Sequence, residues 1–278
     1  MLKDRIRELR KKGYSYSEIS KRTKKSKKYV WNVSKSIRFS KTGAERYKVE
    51  VTGVVKEIRT QKKKLTLAKA RIMGHLLFDG TVFFSDYHYS VKYINSSVDL
   101  IDQFVRDMGM VYGISPASIE SSKGINIPWY KVGFISKQAY EDLIKYSPSY
   151  STSSKDSIVP VEIMTGTRKL KLEFLRTFWE DEGSVSNNGT LSGSSNSKRV
   201  MGQIAILMKE EGFDFGICRS MRNGQFEYKI YLHKSLKNLK NFYKLGLFER
   251  AVVAHGKNIG KKKRDVLREF MGQYKHVK

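Results

Sequence analysis

Two carboxylates, Asp79 and Glu182, each close an apolar helical stretch, and each is followed by glycine. The stretches are Ile72-Met-Gly-His-Leu-Leu-Phe-Asp-Gly80 and Leu175-Arg-Thr-Phe-Trp-Glu-Asp-Glu-Gly183, with their glycines 103 residues apart. A carboxylate at the C-terminal end of a helix faces the negative pole of the helix dipole, so it is misplaced unless a cation compensates. A single acid–glycine pair is an ordinary helix stop. Two in matching surroundings point to a site that binds metal ions.

That period is far too long for a solenoid repeat and suits one small α/β unit present twice. In the first copy, Thr66 can cap a helix through Phe78. Strands follow at Thr81–Ser85 and Tyr87–Asn95, then a helix over Val98–Met108 with Leu100, Ile101, Phe104 and Val105 as its stripe. Strands near Ile114–Ser121 and Ile127–Ile135 and a helix over Ser136–Lys145 complete it. In the second copy, helices cover Arg168–Asp181, Lys198–Glu211 and Lys234–Leu245. Its strands fall at Gly183–Ser186, Thr190–Ser194, Phe213–Met221 and Gln225–Leu232, the last two flanking an Asn-Gly hairpin signal. Both copies read αββαββα, an α+β class, over residues 65–150 and 160–250. The Ser/Thr-rich stretch Ser147–Lys155 falls between them.

Trp129-Tyr-Lys-Val matches Glu227-Tyr-Lys-Ile and pairs Lys131 with Lys229. Strand alternation puts Tyr130, Val132 and Phe134 on one face, with Tyr228, Ile230 and Leu232 as their counterparts. Lys131 falls on the opposite face, as do Lys229, Tyr231 and His233 in the second copy. An antiparallel sheet packed by helices on its apolar side leaves the other side free, and here that side is basic and aromatic.

The first 64 residues carry 22 Lys/Arg and 6 Asp/Glu. Leu2–Lys12 has helical spacing and stops at Gly13. Ser15 and Ser17 can cap a second helix that ends near Thr23, and Ser26 a third that runs to Ile37. Residues 1–40 thus form a helix-turn-helix pattern, and Leu9–Val33 resembles the helix-turn-helix of resolvases and small regulators. Lys24-Lys25 stands where many relatives have a glycine-containing turn. The exposed side of the third helix would present Lys27, Lys28, Trp31, Asn32 and Lys35. Residues 41–64 read as a linker, with a possible strand at Tyr47–Lys56, and 251–278 as a basic C-terminal tail, solvated or lying on DNA.

A formal charge of +27 over 278 residues favours a polyanionic partner, of which nucleic acid is the commonest. With no apolar run of about 18–20 residues, a membrane span is excluded. The N-terminus lacks a signal-peptide core, and the lone Cys218 can form neither an internal disulfide nor a multi-cysteine zinc site, so a reduced, cytoplasmic protein is expected.

Ile72–Gly80 and Leu175–Gly183 resemble the two motifs of a single-chain LAGLIDADG homing endonuclease, and Phe174–Val185 is especially similar to that family's second motif. The resemblance covers Leu65 to Leu247. It implies that the motif helices pack at a pseudo-twofold axis and that each half lays a curved antiparallel sheet in the DNA major groove. It further implies divalent metal, Mg²⁺ or Mn²⁺, bound by Asp79 and Glu182 beside scissile phosphates across the minor groove, with Ca²⁺ binding without supporting cleavage. The backbone at Phe78 and Asp181 is metal-adjacent. Gly74 fits the small position of the helix contact, whereas Thr177 replaces glycine in the second copy, which implies a wider or tilted contact. Leu77 and Glu180 differ at the earlier acidic position, so neither is essential. His75 and His88 read as ordinary structural or surface residues. Lys131, Lys229 and His233 are candidates to stabilise charge or position water; Lys131 and Lys229 also join Lys92, Tyr231 and His233 as DNA contacts.

The expected function is site-specific double-strand DNA cleavage by a monomer, since two fused halves supply the symmetry of a dimer. The drift between the halves points to a long asymmetric target. A non-catalytic transcription regulator on the same scaffold, or an RNA-splicing maturase, are the alternatives.

Overall fold

The structure, a computed structural model, describes residues 2–38, 40, 65–85, 88–122, 127–154, 156–222 and 224–274. The expected linker and strand within 41–64 lie outside the described residues. The chain divides into two compact units, Met1–Arg59 and Thr60–Lys278. Among the described residues no helix is long and apolar enough to cross a membrane.

In the first unit, helices α1 (Leu2–Lys11), α2 (Tyr16–Thr23) and α3 (Lys27–Ser34) close over Ile6, Ile19 and Val30, all fully buried. Ser15 and Glu18 form a reciprocal capping box that starts α2. The turn into α3 puts Lys24 at φ 52°, so a lysine takes the left-handed conformation that glycine usually supplies. Helix α3 ends three residues before Ile37. Ser34 Oγ donates back to the Val30 carbonyl at 2.7 Å, which competes with continuing the backbone ladder. Lys27, Lys28, Trp31, Asn32 and Lys35 are all exposed, with the Lys35 ammonium 4.8 Å from the Trp31 ring centre.

The second unit holds two αββαββα repeats. The first comprises α4 (Leu67–Phe78), β1 (Gly80–Ser85), β2 (His88–Asn95), α5 (Val98–Tyr112), β3 (Ser118–Ser122), β4 (Trp129–Ile135) and α6 (Lys137–Leu143). A one-turn helix, α7 (Val161–Met164), precedes the second: α8 (Arg168–Glu182), β5 (Gly183–Val185), β6 (Leu191–Ser195), α9 (Lys198–Glu210), β7 (Phe215–Arg222), β8 (Gln225–Leu232) and α10 (Leu236–Lys244). Each repeat makes one antiparallel sheet, ordered β1-β2-β4-β3 and β5-β6-β8-β7. Helix α5 runs one turn longer than its stripe predicts and stops at Gly113 (φ 66°). Pro116, which has no N–H to donate, delays β3 to Ser118.

Residues 252–274 do not form the expected basic tail. Val252 bridges Lys262, and helix α11 (Lys263–Tyr274) buries Val266 and Leu267. The charge run Lys257–Arg264 masks this because its apolar anchors lie just beyond it. Lys262 reaches across to Asp99 at 2.9 Å, and Ser97 Oγ donates to the Arg250 carbonyl, so residues 250–262 tie the two repeats together.

Motif helices α4 and α8 pack directly on each other. Ten of the twelve residues of α4 are buried. A β-carbon built on Gly74 would overlap the Thr177 hydroxyl, and Thr177 is fully buried with Oγ1 donating to the Phe174 carbonyl at 2.7 Å. The threonine therefore fills the space that Gly74 leaves open, and the helices stay close. Gly74→Ala should destabilise the second unit by about 1–3 kcal/mol, and by less when Thr177 is already glycine. Denaturant unfolding of the four proteins measures this coupling.

Candidate functional site at the ends of the motif helices

Asp79 is the residue that ends α4, its N–H bonded to the His75 carbonyl, and Glu182 is the last residue of α8. Gly80 and Gly183 follow with negative φ, so their requirement is space. A β-carbon on Gly80 would lie 2.7 Å from the Leu76 Cα and 2.9 Å from the Lys92 carbonyl oxygen. The glycines let each first strand leave tight against the helix end, which delivers one acid from each repeat to the same place.

Burial, and then the charge of Asp181, push the Asp79 carboxyl up to about 7, against the pull of Lys263, His75 and the Asn95 amide. Burial, then Asp79 and Asp181, raise Glu182 well above the ordinary carboxylate range. Glu180 is raised to about 7, chiefly by burial, with His75 and Arg250 opposing. The Glu182 carboxylate receives no hydrogen bond among the described residues, and Asp79 receives one, from Asn95 Nδ2 at 3.1 Å. Two carboxylates that accept a single hydrogen bond between them, that from Asn95, suit a hard divalent cation completed by water and phosphate oxygens, as Mg²⁺ prefers. The described residues contain no group of three or more His, Cys, Asp or Glu arranged to hold a metal.

Each acid lines its own cleft. One, of about 310 Å³, joins Asp79 to Asn95, Ser96, Trp129 and Lys263. The other, of about 320 Å³, joins Glu182 to Ser195, Asn196, Gln225 and Glu227. Asn95 and Ser195 end β2 and β6, and Trp129 and Glu227 are the matched positions of β4 and β8, so the two clefts occupy equivalent places in the repeats.

Asp181 was expected to matter through its backbone alone, but its side chain organises the site. Wholly buried, it accepts from Tyr93 OH at 2.8 Å and Asn95 Nδ2 at 3.2 Å, and it pairs with His75 Nδ1 at 2.8 Å. Asn95 thus donates to both Asp79 and Asp181. Burial opposes a charge on His75, yet the carboxylates outweigh it and raise its pKa. Phe78 instead packs its ring on Phe174 and Phe178, with centres 5.8 and 5.3 Å away. Glu180 takes the Arg250 backbone N–H at 2.9 Å and so anchors the segment that follows α10. The signal in the sequence was a histidine and an extra aspartate inside helices otherwise buried on most sides, where any charge must be paired.

These acids hold protons more tightly folded than unfolded, so the stability they contribute falls as pH rises from about 4 through 7. The raised pKa of His75 acts in the same direction, since its contribution is lost as pH rises through its folded value. The metal-free protein should therefore melt at lower temperature at pH 7.5 than at pH 5, and the slope should flatten in Asp79→Asn/Glu182→Gln. Scanning calorimetry in a chelator measures both; a midpoint that climbs over this range contradicts the assignment.

The open faces of the two sheets differ. Lys92, Ile94, Trp129 and Lys131 share one face in the first, and Lys131 pairs with Glu120 at 3.1 Å. In the second, Lys229 and Tyr231 stand among Ser192, Ser194 and Ser220, a face richer in small hydroxyls than basic and aromatic residues alone. His233, just past β8, pairs with Asp214 at 3.0 Å. Lys131, Lys229 and His233 do not line either acid cleft.

No protein-family model matches the sequence, and no curated protein does. Solved structures do. Full-length DUF199/WhiA from Thermatoga maritima matches with a TM-score of 0.50 at 13% identity, over 78% of this chain and 63% of that one. The homing endonuclease I-DmoI, in complex with DNA and Mn, matches with a TM-score of 0.48 at 18% identity, over 65% of this chain and 96% of that one. The N-terminal LAGLIDADG domain of DUF199/WhiA gives 0.45 at 14% identity, over 66% and 83%. At 13% identity the likeness to full-length DUF199/WhiA shows the fold alone, two tandem repeats of the LAGLIDADG type.

Proposed function

We propose that this chain is a site-specific double-strand DNA endonuclease of the homing type, hydrolysing one phosphodiester in each strand with divalent metal held by Asp79 and Glu182. The observation that carries this reading is that the packed motif helices each end in a carboxylate, Asp79 from one repeat and Glu182 from the other, each lining a cleft at an equivalent place in its repeat. When bound, the metal supplies positive charge to the attacking water and the leaving oxygen. Asp79 and Glu182 hold it, beside the backbone of Phe78 and Asp181, and Asn95 orients Asp79. Lys92, Lys131 and Lys229 meet phosphates. Tyr231, His233 and the serines of the second sheet meet base edges. The first unit reads DNA through Lys27, Lys28, Trp31, Asn32 and Lys35 on α3. The protein works as a monomer on a long asymmetric duplex.

A second reading, a DNA-binding regulator that does not cut, is favoured by one observation: the Lys263 ammonium already stands among the acids. Incubation with a library of long duplexes at low salt with Mg²⁺ separates the two. The endonuclease gives metal-dependent double-strand breaks that Asp79→Asn and Glu182→Gln abolish. Tight site-specific binding without cleavage, unchanged by those substitutions, would overturn it in favour of the regulator. Deleting residues 1–40 should weaken or relax recognition and spare the cut; complete loss of cleavage on naked DNA would make the first unit part of the active core.

A further inference from the structure

Four carboxylates, Asp79, Glu180, Asp181 and Glu182, crowd the place where the negative ends of two helix dipoles meet. His75 pairs with Asp181, and the Arg250 guanidinium stands 3.6 Å from Glu180. A further cation, Lys263, comes from outside both repeats. It is 8% exposed, and its Nζ donates to the carbonyl oxygens of Glu180, in the last turn of α8, and of Gly183, the first residue of β5, at 2.8 and 2.6 Å. It lines the same cleft as Asp79, Glu180 and Asp181, where burial lowers its pKa against the opposing pull of the acids.

This placement is costly for a lysine. Lys263 is buried, and it opens helix α11, whose positive pole opposes an ammonium. The Val252–Lys262 bridge and the bond from Lys263 N–H to the Ala251 carbonyl fix the backbone that delivers it. Helix capping alone does not call for a full charge here, because a neutral donor satisfies carbonyls as well. The acids do call for one.

We propose that Lys263 is a built-in counter-ion of the motif-acid cluster, a positioning residue that holds the acids together without metal and makes the Asp79 cleft less dependent on a divalent ion than the Glu182 cleft. Among the described residues, the equivalent cleft has Glu227 in its lining and no lysine, so the two are electrically unequal. The part concerning metal rests on the proposed metal-binding role of Asp79 and Glu182; the counter-ion part does not.

The test is a double-mutant cycle on the full chain, read by thermal midpoint in a chelator and again with millimolar Ca²⁺. Lys263→Met should lower the metal-free midpoint by roughly 5–15 °C, and by less than half as much in the Asp79→Asn/Glu182→Gln background. Ca²⁺ should raise the midpoint of Lys263→Met by at least about twice the shift it gives the unsubstituted protein, as the ion replaces the missing charge. Equal losses in the two backgrounds overturn the counter-ion. Unequal losses with no Ca²⁺ shift in any protein retain it and sink the metal reading instead. Should Lys263→Met fail to fold, Lys263→Gln, which keeps a donor for the carbonyls and lacks the charge, takes its place in the same cycle.

Discussion

Raising the salt from about 50 to 200 mM will weaken binding to the cognate duplex by about 10³-fold. Six lysines carry this expectation: Lys27, Lys28 and Lys35 on α3, and Lys92, Lys131 and Lys229 on the open faces of the sheets. Each neutralised phosphate releases condensed counterions and adds about 0.9 to the log–log slope, so six give a slope of roughly −5. Lys131 tests the geometry further, because its ion pair with Glu120 must open or be shared when a phosphate arrives. Replacing any one of these lysines with alanine should reduce the slope by about 1 and weaken all sequences alike. Fluorescence anisotropy across a salt series measures it, and a slope shallower than about −2 would place these side chains away from the DNA backbone.

Asp79→Asn and Glu182→Gln should each slow double-strand cleavage by on the order of 10³-fold or more, since each would remove a ligand and a charge from the proposed metal site. Their effect on stability should have the opposite sign. Both carboxyls are raised by burial and by neighbouring acids, so the neutral amides relieve a cost, and the metal-free midpoint should rise. Affinity for DNA should change little. A purely structural role for the two acids predicts the reverse pattern, with loss of stability and cleavage falling only in proportion. Single-turnover cleavage of a plasmid carrying the target, set beside thermal unfolding of the same preparations, separates the two.

Much of the fold was legible because it follows from periodicity and stop signals. The apolar spacing of α5 and the caps at Thr66, Ser15 and Ser26 are local, and local physics places them. The two acids were legible for the same reason, since each ends a helix before a glycine that only close packing explains. What surrounds them was not. Lys263 belongs to no motif and lies far along the chain from both acids; it reads as one more charge in a basic run until Val266 and Leu267 dock the helix behind it. Asn95 and Tyr93 sit on a strand whose alternation tells inside from outside and says nothing about which acid they meet. Asp181 and His75 find each other only through the crossing of α4 and α8, which Gly74 and Thr177 set.

The most direct test of the central claim is electron paramagnetic resonance of Mn²⁺ titrated into the complex with target DNA. The account predicts Mn²⁺ bound to the unsubstituted protein–DNA complex and lost from Asp79→Asn/Glu182→Gln. Equal Mn²⁺ binding by the doubly substituted protein, or none by the unsubstituted one, would contradict it.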